Sequence, residues 1–285
     1  MHPPIVSVLM TAYNREKYIG EAIESVLSST FTSFELVIID DCSIDKTVEI
    51  ARKYEAIDQR VKVFINEKNL GDYPNRNKAA SLAKGKYIKY VDADDMIYPF
   101  GLELLVQSME KFSNAGWGLC SLIQDDERIY PYVVAKEEVY RYNYFKKSIF
   151  HKAALSSIIR TDVFLQYGGF SGKQHLGDFE LWHKLGKKED VVLIQDGIVW
   201  HRTHDEQQSK DNRSDFTIPL KYDISALNFF KTDLSIPLKR GEIKAIVWTY
   251  KKSIIKSFLK AIQNRDFSNI WKAWQMLFDK SYNLN

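Results

Sequence analysis

The sequence predicts an α/β fold: a mostly parallel sheet flanked by helices, followed by a helical C-terminal appendage. Three observations carry this. Short apolar runs of strand length alternate with stretches of helical periodicity through the first half of the chain. Three of those runs end in acids or small polar groups. Beyond Pro219 the pattern turns mainly helical. A chain of 285 residues suits one large α/β domain with an addition. The boundary is placed at residue 215, giving a catalytic-sized domain over 1–215 and an appendage over 216–285.

The elements follow in order. Residues 5–10 form a first strand that runs into the polar turn Thr11-Ala12-Tyr13-Asn14. Residues 17–28 form a helix with Ile19, Ala22, Ile23, Val26 and Leu27 on one face. Residues 34–39 are a buried strand ending at Asp40-Asp41, and Asp45 or Ser43 is placed to cap a helix running to about Ala56. Residues 61–65 are a third strand, and residues 75–83 a helix stopped before Gly85. Residues 87–91 are a fourth strand, ending at Asp92-Ala93-Asp94-Asp95, and Pro99 opens a helix through Met109. Residues 124–156, rich in Tyr, Phe and Lys and poorly periodic, read as an insertion shaping a pocket. Gly168-Gly169-Phe170 is a turn, 178–187 a helix, and 191–194 and 197–200 short strands.

Composition excludes several classes. The chain is 45% hydrophobic and 27% charged, unlike collagen, disordered chains or disulfide scaffolds. No apolar run approaches the roughly 18 residues of a membrane-spanning helix. Met1-His2-Pro3-Pro4 has neither a basic n-region nor a cleavage site, so no signal peptide is expected. Two cysteines, Cys42 and Cys120, fit a reducing compartment. The expected location is cytoplasmic, either free or peripheral on the inner face of the membrane.

The net charge of +3 is unevenly spread. From Lys239 onward ten Lys/Arg stand against three acids, a tail of +7 on a body of −4. Such a tail suggests an anionic partner. Zinc-ligand spacing, a helix-turn-helix signature and an aromatic RNA-binding motif are all missing from the sequence, so no nucleic acid partner is expected. Ile243, Ile246, Val247, Tyr250, Ile254, Phe258 and Ile262 recur at helical spacing with lysines between them. Phe267, Ile270, Trp271, Trp274, Leu277 and Phe278 repeat the pattern. These faces either contact a membrane as interfacial helices, pack on the catalytic domain, or pair in a homodimer.

Ligands on α/β sheets sit beyond the carboxyl ends of the strands. Thr11, Asp40/Asp41 and Asp92/Asp94/Asp95 therefore mark one rim as the site. Three carboxylates in four residues repel one another unless a cation relieves them. Hard oxygen ligands suit Mg²⁺ or Mn²⁺ bridging carboxylates to substrate phosphates. The plainer alternative is a solvated turn capping the next helix. The chain contains no Gly-x-x-x-x-Gly-Lys-Ser/Thr loop and no Gly-x-Gly-x-x-Gly, which disfavours P-loop and dinucleotide enzymes.

Four ordered segments resemble family 2 glycosyltransferases of the GT-A fold: Val6–Asn14, Phe34–Ser43, Asn69-Leu70-Gly71 with Arg76-Asn77, and Gly85–Asp95 with its D-x-D region. The resemblance covers about Ile5 to His204. It implies a GT-A-like, Rossmann-like domain and inverting sugar transfer from a nucleoside diphosphate donor, UDP rather than GDP. The implied cofactor is Mn²⁺ or Mg²⁺, the acceptor a saccharide or lipid-linked molecule, and the setting polysaccharide biosynthesis. By the same resemblance Thr11, Ala12 and Tyr13 match the first nucleoside-binding loop, and Asp41 the acid reading the base edge. Arg76 matches a residue near the base and phosphates. Asp92 lies where ribose and donor sugar pass, Asp94 matches the metal contact, and Asp95 supports the cluster or binds donor sugar. Tyr13 can equally be an ordinary half-buried aromatic, and Arg76 the partner of a surface acid. Cys42 is given no chemistry.

Inverting transfer needs a general base on the acceptor side. The family usually carries Glu-Asp where this chain has Gly177-Asp178. Asp178 matches the base, with Glu180 in reserve, although Asp178 can also serve only as a helix cap. His201-Arg202-Thr203-His204 follows the last strand, and alternation puts Arg202 and His204 on one face. The family often has an aromatic-Arg-x-His segment here. Arg202 would face the leaving diphosphate, and His204 the metal or phosphates. His175 and His183 are assigned no role. The rival readings are a nucleotidyltransferase, which would want glycine in 9–14, and a catalytically inactive glycan-binding homologue acting as a partner subunit.

Overall fold

The computed structural model describes residues 3–204, 217–233, 235–263, 267, 270, 271 and 275. The chain divides into two compact units, Met1–Val139 with Ser148–Arg202, and Tyr140–Lys147 with Thr203–Asn285.

The first unit is built on an eight-stranded sheet. Its first four strands are β1 (Val6–Ala12), β2 (Phe34–Asp40), β3 (Val61–Ile65) and β4 (Tyr87–Tyr90). Between them lie α1 (Ile19–Leu27), α2 (Thr47–Ile57) and α3 (Asp72–Ser81). Strands β1 to β4 pair in parallel in the order β3-β2-β1-β4. Every residue of β2 is buried, as expected of a parallel strand covered on both faces. Val6, Val8, Met10, Leu36 and Ile38 share a core with Ile19, Ala22, Ile23 and Val26 of α1. Gly85 precedes β4 because a Cβ there would lie 2.5 Å from the Ser7 backbone nitrogen.

The rest of the sheet is mixed, and with β6 parallel to β9 the whole is mostly parallel, as expected. After β5 (Met96–Ile97) and α4 (Gly101–Lys111) come β6 (Trp117–Leu122), β7 (Tyr132–Val134) and α5 (Lys136–Phe145). A 3₁₀ turn at Ala154–Ser156 leads into β8 (Ser157–Arg160) and α6 (Thr161–Gln166). Then follow α7 (Gly177–Lys188), β9 (Val191–Gln195) and β10 (Val199–Trp200). The sheet continues from β4 as β8-β6-β9-β7, with β8 antiparallel to both neighbours and β7 antiparallel to β9. Strands β5 and β10 form a separate antiparallel ribbon that pairs Met96 with Trp200.

Several boundaries differ from the sequence reading. Helix α3 begins at Asp72, just after Gly71 at φ +83°, rather than at Asn75. Asp45 accepts the Thr47 amide at 2.9 Å, whereas the Ser43 hydroxyl turns to Asp40. Residues 124–156 hold β7 and α5 and are more regular than their periodicity suggested. Strand β10 stops at Trp200, so strand alternation does not extend to Arg202 and His204.

In the second unit, helices Thr217–Thr232 and Arg240–Gln263 pack through Leu220, Ile224, Leu227 and Ile254. Tyr140 stacks on Phe229, and Arg141 pairs with Glu242 at 2.7 Å. Among the described residues no helix is long and apolar enough to cross a membrane. Trp274, Leu277 and Phe278 of the second apolar stretch lie outside the described residues.

Candidate active site

The carboxyl ends of β1, β2 and β4 adjoin in the sheet, so their trailing loops meet. The β1 loop is fastened to the β2 loop. Asn14, at φ +51°, donates its amide to Ser43 Oγ at 2.8 Å, and its Oδ1 accepts the Ile44 amide. The Asp41 amide donates to Ala12 O at 2.8 Å. Thr11 is half-buried and Ala12 buried, while Tyr13 is 46% exposed. Asp41 is itself buried and accepts from Asn66 Nδ2 (2.6 Å) and the amides of Leu70 (2.8 Å) and Gly71 (2.9 Å). It thereby ties β2 to the 69–71 loop that starts α3. Cys42, at φ +66°, donates its thiol to Asn66 O, a packing role.

Each acid after β4 has its own partner. Arg76, on α3, reaches Asp92 at 2.7 Å and Asp72 at 2.7 Å, with its guanidinium over the Tyr90 ring. These acids hold Arg76 charged despite its burial. Arg15 Nε donates to Asp94 Oδ2 at 3.0 Å, while its Nη1 donates to the carbonyls of Tyr13 and Asn14. Asp95 is buried and accepts the Arg202 amide at 2.9 Å. Burial, with Asp92 and Asp94 nearby, pushes its carboxyl well up. Arg202 also donates Nε to Asp94 O at 3.0 Å and pairs with Glu21. The β5–β10 ribbon is what brings Arg202 to this cluster from more than a hundred residues away.

The Asp178 carboxyl stands on the first turn of α7. It accepts the Phe179 amide at 2.8 Å and the Tyr73 hydroxyl at 3.2 Å. Burial pushes its pKa up to about 6, against the pull of those two donors and of Arg76. A carboxyl so placed changes its protonation nearer neutrality than an exposed one does. Gly177 is explained by Tyr73: a Cβ there would lie 2.7 Å from the tyrosine ring. The space of the missing side chain is filled by an aromatic from α3. Tyr73 and Arg76 are three residues apart and share a face of that helix. One turn thus joins the Asp178 carboxyl to the acidic rim.

Glu180 is buried and bridges to Lys173 at 3.0 Å, so Asp178 and Glu180 are held apart in different surroundings. His183 is buried between Phe150 and Phe179 with Nδ1 2.8 Å from Phe179 O, and burial lowers its pKa to about 3. His175 adopts φ +68°. His204 falls in the second compact unit and is buried.

The model of glycosyl transferase family 2 matches residues 7–168, more than half of the chain and all of the rim. The chain belongs to that family. TuaG of Bacillus subtilis, a relative named for teichuronic acid biosynthesis, is 36% identical over 140 residues, covering 48% of this chain and 55% of its own length. A glycosyltransferase of Methanocaldococcus jannaschii is 43% identical over 112 residues, 39% of each chain. The matches span about half or less of these curated relatives. Among solved structures, S. aureus TarS 1-349 with UDP-GlcNAc superposes with a TM-score of 0.65 at 23% identity, over 86% of this chain and 71% of that one. PcManGT, a mannosyltransferase of Pyrobaculum calidifontis solved with GDP-Man and Mn²⁺, gives 0.61 at 13%, over 99% and 83%. These likenesses show the GT-A fold.

The donor set of this family 2 chain suits a cation that arrives with phosphates. Among the described residues no three His, Cys, Asp or Glu converge to hold a metal by themselves. Asp94 offers hard carboxylate oxygens beside Asp92, and a divalent ion bound through one or two carboxylates takes its remaining ligands from phosphate and water. The crowded acids fit that arrangement, since a cation would relieve their mutual repulsion.

Three residues of the site escaped the sequence reading. Arg15 follows the first turn directly, and that position beside a strand end was its one signal. Tyr73 is signalled by Gly177, a glycine where the family has a long side chain. Lys89, fully buried in β4, donates to Leu155 O and lies within electrostatic reach of Asp92 and Asp95.

Proposed function

We propose that the protein is an inverting glycosyltransferase that moves a sugar from a nucleoside diphosphate sugar, UDP-linked, to a saccharide or lipid-linked saccharide in glycan assembly. The observation that carries this is the junction made by α3: Arg76 holds the acidic rim while Tyr73 holds a buried carboxyl that ionises at about 6. Family membership supports transfer as the reaction, and TuaG's name supports a polysaccharide acceptor. UDP is preferred because the UDP-GlcNAc-bound neighbour is more alike than the GDP-Man-bound one. The free thiols Cys42 and Cys120 support a cytoplasmic place of action.

In this reading Thr11, Ala12, Tyr13 and Asp41 bind the nucleoside, Tyr13 by stacking and Asp41 through its remaining lone pairs. Arg76 lies near the base and phosphates, Asp92 borders the ribose and donor sugar, Asp95 supports the cluster, and Arg202 faces the diphosphate. Mn²⁺ or Mg²⁺, held by Asp94, would supply positive charge beside the departing diphosphate. Asp178 takes the proton of the acceptor hydroxyl as its oxygen bonds to the anomeric carbon. The bond from that carbon to the diphosphate oxygen breaks, and configuration inverts. Glu180, bound to Lys173, is the reserve for that role.

The test is a thermal-shift screen of UDP, GDP and their sugar conjugates with and without Mn²⁺, followed by measurement of UDP release. Ligands that bind the folded state raise its midpoint by mass action. A Mn²⁺-dependent shift with a UDP-sugar and slow UDP release is expected. Binding of a nucleoside triphosphate with pyrophosphate release would instead indicate a nucleotidyltransferase. Binding without any UDP release in the presence of acceptors would indicate an inactive homologue.

A further inference from the structure

Helix Arg240–Gln263 carries two apolar stripes. The first is the one that packs: Ile246, Ile254 and Ala261 are buried, with Val247, Tyr250 and Phe258 against the helical core. The second consists of Trp248, Ile255, Leu259 and Ile262, exposed by 56%, 54%, 61% and 56%. Their spacing of seven, four and three residues puts them on one line along the helix. That line is distinct from the packed one. Apolar residues scattered over a surface need no explanation, whereas four in register on one helix do.

Charge identifies the occupant. Lys252, Lys256 and Lys260 recur at four-residue spacing along one side of the exposed stripe, and Lys251 borders the other. All four are exposed. Glu242 is the one acid in the helix, and its carboxylate is bound by Arg141, which holds its pKa down to about 2. The exposed side therefore offers cations and apolar groups without an opposing acid. Lys252 lies over the Trp248 ring, with Nζ 5.2 Å from its centroid. A second copy of the same helix would set lysines against lysines, which disfavours self-pairing. An anionic lipid surface satisfies both halves of the pattern: acyl chains take the stripe and headgroups take the lysines. At about 1.5 Å per residue the helix is some 36 Å long, too polar to span a bilayer and well suited to lie along one.

We propose that the Trp248–Ile255–Leu259–Ile262 stripe seats the protein on an anionic membrane surface, with Lys251, Lys252, Lys256 and Lys260 in the headgroup layer. This is independent of the transfer reaction, and its test requires no donor or acceptor.

Flotation of the full chain with phosphatidylcholine vesicles, with and without phosphatidylglycerol, measures it directly. The protein should float with phosphatidylglycerol vesicles at low salt, remain behind with phosphatidylcholine alone, and be released at high salt. Reversing Lys252, Lys256 and Lys260 to Glu should weaken binding by about a hundredfold or more. Trp248→Ser with Leu259→Ser should weaken it at low salt while leaving the melting temperature unchanged, since neither side chain is in the helical core. Wild-type protein that ignores anionic vesicles overturns the proposal. So does equal binding by the lysine-reversed variant. Sedimentation supplies the remaining arm: a dimer that the Trp248/Leu259 double variant dissociates assigns the stripe to a second copy and overturns the membrane surface.

Discussion

Asp92 and Asp94 at the end of β4 and Asp178 on α7 have contrasting partners. Asp92 and Asp94 are paired with Arg76 and Arg15, and Asp95 takes an amide of Arg202. Asp178 has a phenol and an amide for donors. Guanidinium partners fix Asp92 and Asp94 in place, while burial raises Asp95 as it raises Asp178. A buried carboxylate without a paired cation is held less firmly in its charged form, so it can receive a proton near neutral pH. In the proposed mechanism this contrast in neighbours is what separates the acids that hold from the acid that transfers a proton.

Loss of the proposed base should give the largest effect. Asp178→Asn should retain UDP-sugar binding by calorimetry but lower turnover by roughly 10²–10⁴-fold. Its fold should survive. A carboxyl raised to about 6 in the folded state contributes stability that is complete below its unfolded pKa and is lost as pH rises through about 6. Asparagine removes that loss, so above that pH the variant should melt no lower than wild type. A variant with near-normal turnover would break the comparison and move the base to Glu180 or elsewhere.

On the holding side, Asp94→Ala should abolish the Mn²⁺ dependence of UDP binding, leaving the affinity measured without metal. Unchanged affinity with and without Mn²⁺ in wild type would remove the metal assignment. Arg76→Ala leaves Asp92 and Asp72 without their shared cation and should cost about 2–3 kcal/mol in urea unfolding. Gly177→Ala drives a methyl into the Tyr73 ring and should cost about 1–3 kcal/mol. A Tyr73→Ala change in the same chain should recover part of that cost, and additive losses would show that the clash is not the cause.

The smallest effect is also the sharpest. The Tyr73 hydroxyl favours the charged form of Asp178, so Tyr73→Phe should raise its pKa. The acid limb of the rate profile, centred near 6 in wild type, should move upward by about half a unit to one unit. A limb that stays in place while kcat falls would make Tyr73 a packing residue only.

The rim was legible in the sequence because it depends on short-range patterns. Strand runs ending in Thr11, Asp41 and Asp92 can be read locally, and parallel pairing of β1 with β2 and β4 brings their ends together. The partners were less legible because each arrives from far along the chain. Arg15 meets Asp94 across 79 residues and Tyr73 meets Asp178 across 105, and periodicity carries no information about such separations. The insertion of β8 between β4 and β6 was hidden for the same reason: a four-residue strand reads alike in parallel and antiparallel company. On the helix Arg240–Gln263, spacing identified most of the packed apolar face but wrongly included Ile262, and the exposed line of Trp248, Ile255, Leu259 and Ile262 emerges only once burial is known.

The two-residue ribbon of β5 and β10 has a consequence for how such an enzyme diversifies. It fastens the chain just after the acidic rim to the chain just before Arg202, so residues 98–198 leave and return through one fixed doorway. Doubling the length of a closed loop costs only about 0.6 kcal/mol in chain entropy. The loops within that stretch, such as residues 123–131 between β6 and β7, can therefore be lengthened at little cost, whereas β6, β8, β9 and α7 belong to the sheet and the site. Grafting experiments that seek a new acceptor should alter those loops and leave Met96, Ile97, Val199 and Trp200 untouched.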